Sequence, residues 1–422
     1  MRRGQAPRRG GSKKAGHGLF QHPARATRHR LLVAACLGLA ALPAGAELRL
    51  SGYLAAEFRA FAHAPLDPRQ HGANASLALR PQMDWLWDGG RQGLTLVPFL
   101  RADRNDPSRS HADLRELLWW KASREWELRA GIGRVFWGVT ESQHLVDIIN
   151  QTDLVENIDQ EDKLGQPMVN LALVRPWGTV DLFLLTGFRE RTFPGVGGRL
   201  RFPLPVDRSQ TRYAGGAGRG HVDGAIRWSR SIGPWDVGLY HFTGTSREPR
   251  LVPGRDAAGA PVLVPVYETI DQTGLDLQAT LGSWLWKLEA IHRSGQQAPY
   301  LAAVGGFEYT SYGVFGSRKD LGWVMEYHYD ERGGGAPTPF QNDLMMGLRL
   351  AFNDTASTQA LLGAVVDLDG GARLYNLEAS RRIGQHWKLS VEARLFDGTR
   401  PGAPLYGLRR DDYLQVEMAY YF

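Results

Sequence analysis

The residues able to do chemistry gather in two stretches of opposite charge. Between Val139 and Pro167 stand Glu141, Asp147, Asp153, Glu156, Asp159, Glu161 and Asp162 against one Lys163, and between Phe188 and Gly220 stand Arg189, Arg191, Arg199, Arg201, Arg208, Arg212 and Arg219 against Glu190 and Asp207. Folded toward one water-filled space, two such segments create a transverse field that orients charged or dipolar solutes at its narrowest point. The expected site is therefore a constriction made by Asp147, Asp153, Glu156, Asp159, Glu161 and Asp162 with Arg189, Arg191, Arg199, Arg201, Arg208 and Arg212. Left outside such a space, the same segments are solvated loops, the basic one touching lipopolysaccharide phosphates. Leu154, Val155 and Ile158 within the acidic stretch suit a short amphipathic helix against an inner wall.

Spacing speaks against other chemistries. The acidic stretch lacks the D-x-[DN]-x-[DN]-G calcium pattern. His111, His144, His221, His241, His328 and His386 are not at metal-ligand spacing, and no glycine-rich phosphate loop opens a helix. No metal, cofactor or catalytic residue is expected. The one pair suited to nucleophilic catalysis is His292 and Ser294, which share a face when two apart on a strand. They carry the alternative of an outer-wall lipid hydrolase, although Gly295 stands where the outer-membrane phospholipase A motif has Asn.

The elements that must position these residues are strands. Segments of period two run from 48–61 to 411–422, eighteen in all, with sixteen as the alternative count because 113–122 and 302–312 alternate untidily. In the last of them Leu414, Val416, Met418, Tyr420 and Phe422 alternate with Tyr413, Gln415, Glu417, Ala419 and Tyr421. Tyr420 and Phe422, at an aromatic terminus, read as an insertion signal. The fifth segment is expected over 126–138, with loops over 139–167, 188–220 and 245–266. Short turns alternate with these longer connections, and Trp126, Trp177, Trp235, Trp284, Trp323 and Trp387 lie in or just after short turns, as an aromatic girdle at a membrane interface would. A Lys or Arg facing lipid at midplane costs about 2–4 kcal/mol, so the charged face of each strand must turn inward. The fold class expected is all-β, a transmembrane antiparallel β-barrel with a polar lumen.

The front of the chain carries targeting information. Nine Lys or Arg and no acidic residue occupy 1–30, an apolar run covers Leu31 to Leu42, and Pro43-Ala44-Gly45-Ala46 precedes Glu47. This reads as a signal peptide over 1–46, leaving a barrel over 47–422. Of 50 basic residues, 41 remain against 44 acidic ones, so the formal charge falls from +6 to −3 and nucleic-acid binding is not expected. Cys36, the single cysteine, leaves with the signal, so no disulfide is available.

The run Gly133-Arg134-Val135-Phe136-Trp137-Gly138-Val139-Thr140-Glu141 resembles a segment of porin-like proteins of the Gram-negative outer membrane, with Gly133, Arg134, Trp137, Gly138 and Glu141 as its marks. Ser51-Gly52-Tyr53-Leu54 and Phe422 fit the same group. The resemblance implies an outer-membrane channel and supplies no substrate. The expectation is passive or weakly selective passage of small hydrophilic solutes, not enzymatic, with outer-membrane lipid, lipopolysaccharide and the barrel-assembly machinery as partners. A non-conducting structural or adhesion barrel is the other alternative. The oligomeric state is not expressed in the sequence.

Overall fold

The computed structural model describes residues 46–422. The signal peptide assigned to 1–46 therefore lies, apart from Ala46, outside the described residues. In chain order the strands are β1 (Glu47–Phe61), β2 (Ala73–Trp87), β3 (Gln92–Asp103), β4 (His111–Ala122), β5 (Trp126–Gly133), β6 (Gln166–Arg175), β7 (Gly178–Thr186), β8 (Arg212–Ala214), β9 (Val222–Ile232), β10 (Trp235–Thr245), β11 (Arg250–Arg255), β12 (Pro261–Leu281), β13 (Trp284–Ser294), β14 (Tyr300–Ser311), β15 (Asp320–Asp330), β16 (Asn342–Ala351), β17 (Gln359–Asp367), β18 (Arg373–Ile383), β19 (Trp387–Asp397) and β20 (Tyr413–Tyr421). β11 and β8 are appendages that pair only with the first part of β12, antiparallel and parallel respectively. The other eighteen strands form one antiparallel wall in which each pairs with the next, β7 joining β9 and β10 joining β12.

The wall closes where β1 pairs with β20, from Tyr53 opposite Tyr421 to Phe61 opposite Tyr413. Gly52 and Phe422 extend the seam by exchanging two backbone hydrogen bonds of 3.1 Å. Gly52 has φ +152, and a Cβ there would lie 2.6 Å from the Arg80 carbonyl oxygen and 2.9 Å from the Phe422 ring. Only glycine fits that approach. Tyr420 packs on Trp387, with ring centroids 5.1 Å apart.

Alternation sends the residue types in the opposite sense to a water-soluble protein. On β15, Trp323, Met325, Tyr327 and Tyr329 are exposed on the outside, while Glu326, His328 and Asp330 are buried inside. An apolar exterior around a charged interior matches hydrocarbon outside and water within. Trp177, Trp235, Trp284, Trp323 and Trp387 lie exposed near the short-turn end, with Trp126 half-buried beside them. Trp284 stacks on Trp286 at 5.6 Å and touches Phe307 and Tyr309.

The two untidy segments have local causes. The β3–β4 register shifts between Val97 and Pro98, because proline has no N–H to give the ladder. In β14 a Cβ on Gly306 would lie 1.8 Å from the Met325 carbonyl oxygen, so glycine there permits close backbones. The fifth strand is shorter than its pattern. It stops at Gly133 rather than 138, since Asn150 takes over the backbone pairing: its Oδ1 accepts from the Val135 N–H at 2.8 Å, and its Nδ2 donates to the carbonyls of Gly133 and Leu164 at 2.9 and 2.8 Å.

A wall this fully paired unfolds as a unit. Protein refolded in detergent is expected to migrate faster on unheated than on boiled gels and to give strand-dominated circular dichroism; identical migration, or a helical spectrum, contradicts the closed wall.

Candidate constriction and lumen site

After Gly133 the chain leaves the wall and enters the barrel, drawn by apolar side chains that have no lipid to meet. Trp137, Val146, Ile148 and Ile149 pack in one cluster with Leu118, Phe183, Tyr240, Phe242 and Ile291 of the wall. The Trp137 ring lies 4.9 Å from Tyr240 and 5.6 Å from Phe183, with the Arg227 guanidinium 5.0 Å from its centroid. Burying each such side chain contributes roughly 2–3 kcal/mol.

Irregular backbone inside a barrel must still satisfy its N–H groups, and two wall carboxylates do this. Glu289 of β13, fully buried, accepts from the N–H groups of Val139 at 2.7 Å, Thr140 at 3.1 Å and Val146 at 3.1 Å, and from the Thr140 hydroxyl at 2.7 Å. Glu326 of β15 accepts from the N–H groups of Glu141 at 2.7 Å and Ser142 at 2.9 Å. The Ser142 hydroxyl lies between Glu326 and His328 Nε2, at 2.5 and 2.7 Å. His144 adds charge to the anchor through Glu161 at 2.9 Å and Glu289 at 4.0 Å. Burial disfavours its imidazolium, yet the hydrogen bonds and charge of Glu161 and Glu289 prevail and raise its pKa to about 10.

The acidic residues of the inward segment are mostly matched by cations, from the wall or, for Asp147, from the segment itself. Asp147 meets Lys163 at 3.0 Å, Asp153 meets Arg115 at 2.5 Å, Glu156 meets Arg101 at 2.7 Å and Asp159 meets Arg394 at 3.2 Å. Asp162 is left open to lumen water, where enclosure by the barrel and the repulsion of Glu156, Asp159 and Asp153 push its carboxyl up to about 7.

The arginines lie beside this segment and toward the seam. Arg189 bonds Asp113 at 2.5 Å; Arg199 is buried against Asp411 at 2.6 Å, over the Phe61 ring; Arg201 bonds Asp67 at 2.9 Å; Arg208 lies 3.8 Å from Glu190. Arg212 is exposed on β8, and Arg191 bonds the Gln151 side chain at 3.2 Å without an ion pair among the described residues. Burial lowers the Arg191 pKa. Among the described residues no cation of this set pairs with a carboxylate of the other. The two segments meet instead through Thr192, whose hydroxyl donates to Asp153 at 2.5 Å, and through Arg191 and Gln151.

The marked residues of 133–141 make the entry turn. Arg134 bonds Glu116 at 2.8 Å, and Glu141 meets Arg349 at 2.6 Å across the lumen wall. At Gly138, φ +149, a Cβ would stand 3.0 Å from His144 Nδ1 and 3.1 Å from Glu289 Oε1, so glycine lets the anchor close.

A cavity of about 1170 Å³ remains beside the inward segment. Asp147, Asp159, Glu161, Arg191 and Arg201 line it, together with wall and rim charges that the two-stretch reading missed: Arg247, Arg293 and Arg332 as cations, Glu378, Glu392 and Glu417 as anions. Their polar places in period-two strands were the signal for Arg293, Glu378, Glu392 and Glu417. His292 and Ser294 face the other way, on the outside of β13 opposite Thr273 and Asp271 of β12, and no hydrogen bond joins them.

No protein-family model matches this chain, and no curated protein matches it in sequence. Its fold is similar to solved barrels. A BenF-like porin from Pseudomonas fluorescens Pf-5 superposes with TM-score 0.54 at 9% identity, over 90% of this chain and 98% of that one. Acinetobacter baumannii OccAB3 gives 0.51 at 8% over 89% and 99%, and Pseudomonas aeruginosa OccK8 (OprE) gives 0.51 at 10% over 89% and 98%. At such identities the fold is what is shared: an eighteen-strand porin-type barrel.

Two outcomes follow for the anchor. Replacing Glu289 with Ala leaves buried N–H groups without an acceptor, at about 1–3 kcal/mol each; amide exchange at Val139, Thr140 and Val146 should accelerate while gel mobility stays that of a folded barrel. Unchanged exchange refutes the anchor. Because the His144 pKa is raised, its contribution is complete below the free-imidazole value of roughly 6.5 and is lost as pH rises through about 10. Proteolysis within 139–147 should increase over that window in the native protein and stay flat in His144→Gln.

Proposed function

We propose that the mature chain, 47–422 after removal of a signal peptide over 1–46, is an outer-membrane channel that passes small hydrophilic solutes. The observation that carries this is the cavity of about 1170 Å³, lined by charges of both signs, that remains where the inward segment narrows the lumen. Water and polar solutes fit such a space, and charges there act with less screening than on an open surface. The transverse field is drawn from the wall, its rim and the two charged stretches together, with Arg191, Arg247, Arg293 and Arg332 as its cations and Glu161, Glu378, Glu392 and Glu417 as its anions. The porin-type fold supports the outer membrane as its location; lipopolysaccharide and the assembly machinery are the partners such a location would bring.

A hydrolase receives less support, since His292 and Ser294 are not hydrogen-bonded and nucleophilic activation needs that contact. A bare structural barrel gives no role to the anchored segment.

In planar bilayers the protein is expected to give discrete conductance steps, with phospholipid left uncut and His292→Ala without effect. Replacing Arg191, Arg293 and Arg332 together with Gln should move the reversal potential in a salt gradient toward cation preference, most at low salt. Replacing Glu161, Glu378 and Glu417 with Gln should move it toward anions. Sealed bilayers refute the channel, and unmoved reversal potentials in both variants place the field elsewhere.

A further inference from the structure

His111 opens β4 on its lumen face, beside Asp153 and Glu156 of the inward segment. Its Nε2 stands 3.7 Å from Asp153 Oδ2 and 3.6 Å from Glu156 Oε1. The ring's other nitrogen, Nδ1, is 2.9 Å from the Arg109 carbonyl oxygen, which only accepts; Nδ1 therefore carries a proton. In the neutral ring Nε2 then presents a lone pair to two carboxylates. It is shut off from solvent and has no hydrogen-bond partner. A lone pair facing two carboxylate oxygens is an unfavourable arrangement that a positive charge between them relieves.

The geometry has room for one. The three donor atoms lie within 4.8 Å of one another, and with the two printed distances a point equidistant from all three is at most about 2.4 Å from each, the range of metal–ligand bonds. Arg115 donates to the same Asp153 oxygen, Oδ2, at 2.5 Å and Arg101 donates to Glu156 Oε2 at 2.7 Å, hydrogen bonds of the kind that outer partners give to metal-ligating carboxylates. The tautomer set by a backbone carbonyl is likewise the usual preparation of a ligating imidazole.

We propose that His111, Asp153 and Glu156 form a binding site for a divalent transition-metal cation of the zinc or manganese type, which staples the inward segment to β4. One imidazole nitrogen with two carboxylate oxygens is a donor set for such ions, whereas magnesium and calcium sites are built from oxygens alone. The site goes beyond a channel reading and does not depend on it.

The test uses Mn²⁺ alone as the probe on detergent-folded full-length mature protein stripped with a chelator. Wild type is expected to take up one tightly held Mn²⁺ per chain, with spin-echo modulation from a coordinated imidazole nitrogen. His111→Gln should bind at least tenfold more weakly and lose the modulation; Asp153→Asn should bind at least tenfold more weakly and serves if the first variant does not regain the folded gel mobility. Absence of saturable uptake by wild type overturns the proposal and makes a protonated His111 the cation. Equal uptake and equal modulation in the folded variants overturn it as well.

Discussion

Closure of the sheet is the constraint on which everything else rests. A strand facing hydrocarbon cannot leave backbone N–H or C=O groups open, because no water is there to receive them. The β1–β20 seam removes both edges at once. Once the ring is closed, the outward side chains have only lipid to satisfy and become apolar. The inward ones enclose water, and there alone can the chain afford Asp, Glu, Lys and Arg in number.

Enclosure changes what a charge does. Glu289 and Glu326 would be ordinary solvated carboxylates on a surface; inside the wall they become acceptors for irregular backbone. The inward segment is thus held in two ways, by the apolar cluster around Trp137 and by anionic pins beside it. The first supplies most of the free energy, since it buries large apolar side chains. The second fixes the path, because hydrogen bonds are directional.

The wall was legible from the sequence because its physics is local. Period two, glycine turns and tryptophans near the short turns each act within a few residues, so all eighteen strands could be placed, including two with untidy alternation. The inward segment was legible as charge and not as geometry. Its acids looked like a free anionic surface, yet Asp153, Glu156 and Asp159 meet Arg115, Arg101 and Arg394 from other parts of the chain. The early end of β5 was hidden for the same reason, since Val135 and Phe136 continue a strand pattern and only Asn150 diverts the chain. The pairing of β11 with β12 outside the wall fell in a stretch that read as loop.

The sites that pin the inward segment come late in the chain. Thr140 waits for an acceptor 149 residues further on, and Ser142 for one 184 residues further on. Contacts of such sequence separation form slowly, after the entropy of closing the intervening chain has been met. During synthesis and folding, residues 134–165 therefore stay without their partners, and the obstruction they form is a product of the last stages of assembly. A barrel caught halfway would be an open ring with an unfastened acidic ribbon, available to proteases that the finished molecule excludes.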